Sequence, residues 1–508
     1  MTLVASLPQI DIEFDGKSLT DPTLATLEEV RVQHRLSQPS VCEMTFVANR
    51  DPLPDLQNLR TGSSVRLALP SSSDSLFAGE ITALEHCYEA AHGQTLRVRC
   101  YDKLHRLRKR QPVRGHVQVT PADLAREMVA DLGLTVDASQ EGPLSQSLIQ
   151  YRQSDFELLV DLAKRFGLYL TLRGDVLHLI GLEGMGDSIE LELGQNLLEA
   201  RLEVNAEPAC RSVVAKGWDA ARVEPHESRA ESARTGRRVG IGVEASPDRF
   251  GSSGERTLAD EVLPDDRHAA AVAQAELDRR CAREVTLWAV AEGDPALMPG
   301  VAVKVSGVAR GLAGLYVLTA VTHVIERRGG FISEISTAPP VFENRPETLN
   351  VAWATVTSVE DPEKLGRVRA SLPAFGQVET DWMGVMAPGA GSGKGFIFLP
   401  DVGDEVLVLF VGGGVTQGIV LGGLYGARGA ADYGVEGSSI RRFMLGTPGG
   451  QTIKLDDTGA SIRVENKGGS FLELSPEKTL LHSAVDLEIE APGRGVVIKG
   501  KNIDFRQA

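Results

Sequence analysis

The sequence predicts a mainly β protein with a few helices, and three patterns lead to this fold class. Short apolar runs separated by turn residues recur in the stretch 351–426, which is typical of a small closed barrel. Apolar and polar residues alternate along several strand-length runs within residues 1–115, and the same alternation persists through 440–508. Helical spacing of apolar residues is confined to three segments between the first region and the barrel.

The central stretch predicts a barrel of about five strands, as in an oligonucleotide/oligosaccharide-binding (OB) fold. Turn signals divide the stretch, among them Asp361-Pro362 and Gly403-Asp404. The predicted strands are 351–356, 368–372, 395–399, 406–411 and 418–421.

The first region predicts a set of antiparallel strands followed by one basic run. Most charged residues of the run 101–110 are arginine or lysine. We interpret the run as a solvated face or a surface for an acidic protein. The predicted strands are 10–14, 30–34, 41–47, 65–69, 77–84 and 96–101.

Three helices are predicted from their end signals. Thr120 is an expected N-cap for the first helix, with Pro121 at the first helical position and Asp123 reaching back to the cap. Ser154 and Glu157 form an expected capping box for the second. The third is expected over 265–283, because acids stand at its start and arginines at its end.

The remaining segments before the barrel are predicted from alternation and polarity. A hairpin is expected over 168–172 and 176–180, and further strands over 301–305 and 316–324. The polar stretch 219–264 predicts an extended surface loop.

The tail, residues 440–508, predicts a trimer. Short runs in which every second residue is apolar follow one another, punctuated by glycines. Each strand would have one apolar face with no helix to cover it, and a lone chain of this kind could not bury that face. Three copies wound around one axis could bury it and would also shield the strand edges.

An ordered motif in the barrel region resembles the OB domain of the VgrG and phage baseplate spike family. Residues 154–181 and 293–323 resemble the hub domain of the same family, and the tail resembles its triple-stranded β-prism. The barrel positions that match are Val356, Thr357, Asp361, Pro362, Gly366, Arg367, Val368, Arg369, Pro400, residues 403–408, Phe410, Gly422 and Tyr425.

The resemblance implies an architecture and a domain division. A hub with two β-barrels and helices is expected over 1–347, an OB-fold barrel over 348–428, and a linker with a trimeric β-prism or β-helix spike over 429–508. Within the barrel, Asp361, Pro362, Gly366, Arg367, Gly403, Asp404, Gly422 and Tyr425 are expected to be structural motif residues.

The resemblance also implies a mechanical function. The chain would be the trimeric central spike of a contractile injection system, which is a type VI secretion system, a phage baseplate or a phage-tail-like particle; the short spike favours the last. Its implied partners are its own copies, the hexameric inner tube, baseplate subunits, a PAAR-type tip protein, effector cargo and the membrane that it punctures. Val496, Ile498, Ile503 and Phe505 are expected to cap the prism or to seat the tip protein.

Composition narrows the alternatives. The formal net charge of −16 argues against coating nucleic acid, because phosphate binding needs a positive surface. Five cysteines at scattered positions, without a C-x-x-C pair, predict free thiols rather than a zinc or redox site. No secretory signal is predicted, since Asp11 and Glu13 precede the first basic residue, Lys17. We expect synthesis in the cytoplasm, assembly into a particle, and release or injection with that particle.

The sequence offers little evidence of catalysis, and no catalytic residue, metal or cofactor is expected. Residues 389–394 mimic a phosphate-binding loop, but Pro388 and Gly395 stand where that pattern needs glycine and serine or threonine. His323 is interpreted as a packed strand histidine. Two rival functions stay open. A cell-wall hydrolase would need paired carboxylates in a cleft, and a carbohydrate- or nucleic-acid-binding module would use the OB face.

Overall fold

The computed structural model describes residues 9–48, 54–69, 75–89, 93–241, 254–327, 329–342, 350–411, 417–426, 429–430 and 432–506. The chain divides into two compact units, one ending at Leu424 and the other beginning at Tyr425. As predicted, strands dominate the first unit and the helices are few. None of the helices in the described ranges is both long enough and apolar enough to cross a membrane.

The first seven strands enclose an apolar core, and all of them except β2 correspond to the six strands predicted for this region. Ile12, Val32, Met44, Leu67 and Val98 are fully buried there, because alternate residues of each strand face inward. The elements are β1 (Asp11–Phe14), β2 (Lys17–Ser18), α1 (Asp21–Leu24), β3 (Leu27–Arg35), β4 (Val41–Ala48), α2 (Pro54–Gln57), β5 (Ser64–Ala68), β6 (Ser75–Glu89) and β7 (Gly93–Tyr101).

The basic run after β7 forms a 3-10 helix, Lys103–Lys109, and most of its charges are paired within the chain. Lys103 Nζ lies 2.7 Å from Asp175 Oδ1, Arg106 pairs with Glu80, and the Arg108 guanidinium lies over the Phe156 ring at 5.1 Å. Leu104 and Leu107 on the same helix are buried. Arg106, Arg108 and Lys109 are nevertheless exposed, so the run has a solvated face as predicted, and its use as a surface for an acidic protein stays a prediction.

The helices begin as their end signals predict. Thr120 Oγ1 accepts from the Asp123 amide at 3.1 Å while Asp123 Oδ2 accepts from the Thr120 amide at 3.2 Å, and Ser154 and Glu157 make the same reciprocal pair. The elements of this part are β8 (Arg114–Val119), α3 (Pro121–Val129), β9 (Thr135–Ala138), β10 (Ser145–Gln150), α4 (Asp155–Arg165), β11 (Tyr169–Arg173) and β12 (Val176–Ile180).

The strands that follow complete the hub. They are β13 (Met185–Glu192), β14 (Leu197–Val204), β15 (Ser212–Asp219), β16 (Glu224–Ala230), β17 (Arg238–Val239), β18 (Glu255–Val262), β19 (Val285–Glu292), β20 (Val301–Ser306), β21 (Gly314–Val317), β22 (Ala320–Glu326) and β23 (Gly330–Ser336), with α5 (Asp266–Glu284) between β18 and β19. Asp265 caps α5 by accepting from the His268 amide at 2.8 Å.

One eleven-stranded sheet joins the two halves of the hub, in the order β14-β19-β23-β22-β3-β4-β7-β6-β5-β1-β2. The junction is the antiparallel pair β22 and β3, in which His323 lies opposite Val32. A second core, under β13, β19, β20 and β21, includes Leu191, Leu287, Val303 and Tyr316. The hub thus has two β-cores on one continuous sheet, as the two-barrel prediction requires.

Two expectations for the hub are corrected. The predicted strand 316–324 is two strands, because the chain leaves the β20–β21 sheet at Leu318 and joins the eleven-stranded sheet after Thr319. The polar stretch 219–264 is not a loop in its described part, since β16 and β18 both pair with β15. β15 and β16 pack against α5, and most described residues of β16 and β18 are exposed, so the composition of β16 and β18 is mostly polar. Residues 242–253 lie outside the described residues.

The barrel forms a six-stranded sheet in the order β26-β25-β24-β28-β29-β27. It packs on the hub: Ile149 of β10 joins its core, and Asn350 Nδ2 donates to Tyr151 Oη at 2.8 Å. Its strands are β24 (Asn350–Ser358), β25 (Arg369–Leu372), β26 (Val378–Glu379), β27 (Gly384–Val385), β28 (Glu405–Val411) and β29 (Gln417–Leu424).

The predicted barrel strand 395–399 is wrong. These residues form no strand, and their apolar side chains are exposed rather than buried in the barrel. The barrel core is already filled by Ala354, Val368, Val408, Phe410 and Val420, so no inward position is left for a further apolar run.

The second unit is a β-meander of hydrogen-bonded neighbours in the order β32-β33-β34-β35-β36. Among the short alternating runs predicted to be strands of the tail, those at 485–489, 496–498 and 503–505 are not strands in the single chain. Their apolar side chains are exposed, because a single chain has nothing to cover the apolar side of these segments. The strands of the unit are β30 (Val435–Glu436), β31 (Ser439–Ile440), β32 (Arg442–Gly446), β33 (Thr452–Asp456), β34 (Ser461–Glu465), β35 (Phe471–Leu474) and β36 (Thr479–His482).

Candidate functional site

The motif turn after β24 is held by a buried ion pair. Arg367 Nε donates to Asp361 Oδ2 at 3.1 Å and Nη2 donates to Oδ1 at 2.7 Å, and both side chains are almost fully enclosed. The Asp361 carboxylate also accepts from the amides of Leu365 and Glu363, at 2.8 and 3.0 Å. The Arg367 hydrogen bonds hold the pKa of Asp361 well below its usual range. The carboxylate is therefore charged at neutral pH and accepts these hydrogen bonds in its ionised form.

The same turn connects the barrel to the hub. Arg222, in the turn between β15 and β16, contacts Glu363 with Nη2 and Oε1 2.8 Å apart, and Arg367 Nη2 lies 3.2 Å from the same oxygen. Arg222 and Glu363 are both partly exposed, so the link is weaker than the buried pair that it extends. No pattern in the sequence predicts this link, because Arg222 lies in the stretch expected to be a loop.

The other motif residues shape the barrel strands. Gly366 and Gly403 have φ of 74° and 89°, which side-chain-bearing residues rarely adopt. Gly403 donates its amide to Val356, and Asp404 Oδ2 accepts from the Asp401 amide at 2.8 Å. The remaining motif residues are Pro362, which is exposed in the turn, Gly422, which lies opposite Leu407 beside a bulge in β29, and Tyr425, which is 72% exposed at the start of the second unit.

Residues 386–399, which lie between β27 and β28, form a loop with exposed apolar side chains. We call it the apolar loop. Phe396, Ile397 and Phe398 are 59%, 86% and 53% exposed, and Met386 and Leu399 are similarly open. At its tip the backbones of Gly391 and Lys394 bond each other in both directions. The chain that follows Lys394 is not a helix, so the phosphate-loop mimic lacks the helix N-terminus that such a loop needs.

The barrel also carries apolar residues on the outside of its sheet. Val351, Trp353, Leu407, Leu409 and Ile419 form this outer barrel face, opposite the side that fills the core. The strand register puts Val351 beside Leu409 and Trp353 beside Leu407, while Leu409 lies beside Ile419. Val351 and Trp353 are 56% and 43% exposed. Both faces of these three strands are therefore apolar.

The tail sheet has one apolar face, built from two cross-strand rows. Among the described tail residues no apolar side chain is buried, and the side chains of these two rows are partly exposed. One row is Leu445, Ile453, Val464, Leu472 and Leu481; the other is Phe443, Leu455, Ile462 and Leu474. We call these two rows the apolar tail face.

The opposite side of the tail sheet is mostly charged. Lys454, Arg463 and Glu473 lie in adjacent strands there, and Arg463 Nη1 donates to Glu473 Oε2 at 2.8 Å. Arg463 also lies 3.7 Å from the centre of the Phe471 ring. This side is satisfied within one chain, whereas the apolar tail face is not.

The four predicted tip residues lie beyond the last strand. Val496, Ile498, Ile503 and Phe505 are 54%, 62%, 51% and 87% exposed, in a stretch without regular pairing. The single chain does not gather them into a buried cluster. Their role at a tip stays a prediction.

The buried histidines form a polar network at the junction of β3 and β22. His34 Nδ1 lies 3.0 Å from Ser40 Oγ, and His323 Nδ1 lies 2.9 Å from Ser333 Oγ. The two rings meet edge to face with centroids 5.7 Å apart, and the Ser40 amide donates to Asp102 at 2.7 Å. The serine stands between histidine and aspartate, so the order of a catalytic triad is not reproduced.

Other candidates for chemistry do not come together in the described ranges. No group of three side chains able to hold a metal ion is found there. Cys42 and Cys100 are buried, and burial raises the pKa of the Cys100 thiol to about 12. His86 is exposed and stacks on Tyr88. His92, the second histidine near Cys87, lies outside the described residues.

The histidine network should make folding sensitive to acid. Burial lowers the pKa of His34 to about 4 and that of His323 to about 3, so the unfolded chain binds protons below pH 6.5 that the folded chain refuses. The folded chain therefore keeps its full stability above pH 6.5 and loses stability as the pH falls towards 4. Burial also raises the pKa of Asp102 to about 6. The folded chain therefore binds a proton at this carboxylate below pH 6, which offsets part of the loss of stability.

We expect a net loss of stability on the order of 3 kcal/mol between pH 6.5 and pH 4 from this network. Thermal unfolding measured across that range checks it, with His323→Asn as the comparison because its amide can still reach Ser333. The variant should show a shallower fall. Parallel curves for the two proteins would contradict the assignment.

Comparisons with known proteins agree with the geometry. A family model for the type VI secretion system/phage-baseplate injector OB domain matches residues 353–425, and one for the Alg8 N-terminal domain matches residues 5–327. The type VI secretion system spike protein VgrG4b of Pseudomonas aeruginosa is 31% identical over 147 residues, which are 27% of this chain and 18% of that relative. The match therefore spans less than a fifth of the relative's length.

Solved structures share the fold. A Francisella PdpA-VgrG complex aligns with a TM-score of 0.57 at 9% identity, covering 95% of this chain and 81% of that one. An E. coli type VI secretion component, described as similar to the T4 tail proteins gp27 and gp5, aligns at 0.53 and 14%, covering 81% and 99%. The 43 kDa tail protein of prophage MuSo2 from Shewanella oneidensis aligns at 0.50 and 16%, covering 65% and 97%. The resemblance inferred from the barrel motif is confirmed.

Proposed function

The chain belongs to the family defined by the Alg8 N-terminal domain and carries an injector-type OB domain, and on this premise we propose that it is the structural central spike of a contractile injection system. The observation that carries the proposal is the apolar tail face. It follows a hub and a barrel along the chain, in the order expected of such a spike. A small sheet whose apolar side is exposed to water is not stable in a single chain.

In this proposal the spike is a trimer. Three tail sheets turn their apolar faces to a common axis, and the segments that stay unpaired in one chain find edges in its neighbours. The charged side, with Lys454, Arg463 and Glu473, then faces water. The proposed division is a hub over 1–347, the OB barrel over 348–428 and the prism over 429–508.

The hub would form the attachment to the tube. Each hub has two β-cores on one sheet, so three copies offer six similar modules to a hexameric inner tube. The barrel would pass load from hub to prism through its packing on β10 and its buried motif turn. Baseplate subunits would hold the hub, and a PAAR-type protein would sit on Val496, Ile498, Ile503 and Phe505. Cargo would travel with the spike through the target membrane.

The proposed role is mechanical rather than catalytic. The two histidines of the buried polar network, His34 and His323, are closed off from solvent and lie within hydrogen-bond distance of serines, so neither is placed to act as a base on a substrate. The proposal includes release or injection of the chain with its particle. The phage-tail-like particle remains our choice among the three kinds of machine.

Light scattering on the purified full chain tests the proposal. We expect three times the subunit mass of 54.5 kDa, stable on dilution. A cell-wall overlay and an oligonucleotide-binding assay on the same sample serve as controls for the rival functions. A folded monomer at micromolar concentration would contradict the spike, and a cleared cell-wall zone would favour the hydrolase.

A further inference from the structure

The apolar loop has the composition of a buried strand but none of its contacts. Phe396 donates its amide to Pro388, and the amides of Ile397, Phe398 and Leu399 form no hydrogen bond within the described residues. From the exposed fractions, and about 150–250 Å² for a large side chain, the loop shows roughly 600 Å² of apolar surface. A specific interface buries about 800 Å² per partner. The loop could therefore supply most of one side of an interface.

The outer barrel face is a second apolar surface on the same domain, with Val351 and Trp353 exposed and the other three side chains partly exposed. Its five side chains are contiguous across β24, β28 and β29 through their strand register. A barrel face that meets water is normally polar, because alternate residues along each strand point outward. Trp353 is the type of side chain that anchors interfaces. The loop and the face are chemically matched, and both belong to every copy of the chain.

We propose that the apolar loop of one copy lies on the outer barrel face of a second copy. The inference rests on the proposed function, since it assigns a contact within the trimer. The loop and the face are different surfaces, so the contact is head-to-tail, and the three-fold rotation of the proposed trimer closes such contacts into a ring. Three such contacts tie the barrels together independently of the tail. Ile397 and Phe398 are the inserted side chains, and Val351, Trp353 and Leu409 receive them.

Disulfide trapping between two chains that carry different cysteine substitutions tests the contact. One chain carries Ile397→Cys and the other Trp353→Cys, and the two are co-expressed at full length and oxidised. We expect a disulfide-linked dimer as the main product on a non-reducing gel. The control pair is Ile397→Cys with Tyr88→Cys, which puts the second thiol on an exposed hub position. Its dimer band should be several-fold weaker.

The outcomes separate this inference from the spike itself. A trimer by light scattering whose two pairs link equally, or not at all, overturns the loop contact and leaves the proposed function standing. A monomer overturns both. A second variant, Ile397→Ser with Phe398→Ser, should weaken the trimer at least tenfold on dilution while the barrel unfolds at an unchanged temperature, because both residues are exposed in the single chain. An unchanged trimer in this variant also overturns the contact.

Discussion

A Leu455→Asp substitution should convert the proposed trimer into folded monomers. Leu455 lies in the middle of the apolar tail face, with Phe443 and Ile462 as its cross-strand neighbours. Three copies would bring three carboxylates to a dry axis, and burying each without a partner costs about 2 kcal/mol or more. A total of roughly 6 kcal/mol corresponds to about a 10⁴-fold rise in the trimer dissociation constant. Light scattering over a dilution series measures it.

The matched control is Met444→Asp. This substitution also replaces an apolar residue with aspartate, but Met444 lies on the charged side of the sheet, opposite Lys454. An aspartate facing a lysine across two strands is neutral or slightly stabilising. We expect this variant to stay trimeric. Dissociation of both variants to the same degree would show that the trimer does not depend on which side of the sheet is apolar.

An Asp361→Ala substitution should destabilise the OB barrel by about 3 kcal/mol, because it leaves the buried Arg367 guanidinium without its carboxylate and several turn amides without their acceptor. For a domain of this size the unfolding temperature of the barrel should fall by about 10 °C or more. Calorimetry on the full chain, with hydrogen exchange of β24 and β28 to identify the barrel transition, measures the change.

Glu363→Ala provides the comparison for that experiment. Glu363 contacts both Arg222 and Arg367, but it is partly exposed, and such ion pairs contribute about 1 kcal/mol or less. We expect a small shift in the same transition. Equal shifts for the two variants would mean that the turn is held by its outer link to the hub rather than by the buried pair.

Local signals were sufficient for much of the fold. Thr120 with Asp123, and Ser154 with Glu157, are close along the chain, so each pair defines a helix start wherever the helix packs. Strand alternation in the hub, the barrel and the tail depends only on which side of each strand meets a core. The motif turn from Asp361 to Arg367 is equally local.

Other features needed the folded chain. Residues 395–399 have the composition of a strand, yet the barrel core was already full without them. Glu224–Ala230 has the composition of a loop, yet its inner face lies against α5. Arg222 and Glu363 are 141 positions apart, and no pattern in either segment marks them as partners.

The sequence by itself determined that this chain is mainly β, where its helices begin, and that its tail has one apolar side, because these follow from spacing within a few residues. Only the tertiary structure decided which apolar runs are buried. Burial depends on whether space and strand edges remain after the rest of the chain has packed. That is why the apolar loop, the outer barrel face and the apolar tail face emerged as the surfaces on which assembly would depend.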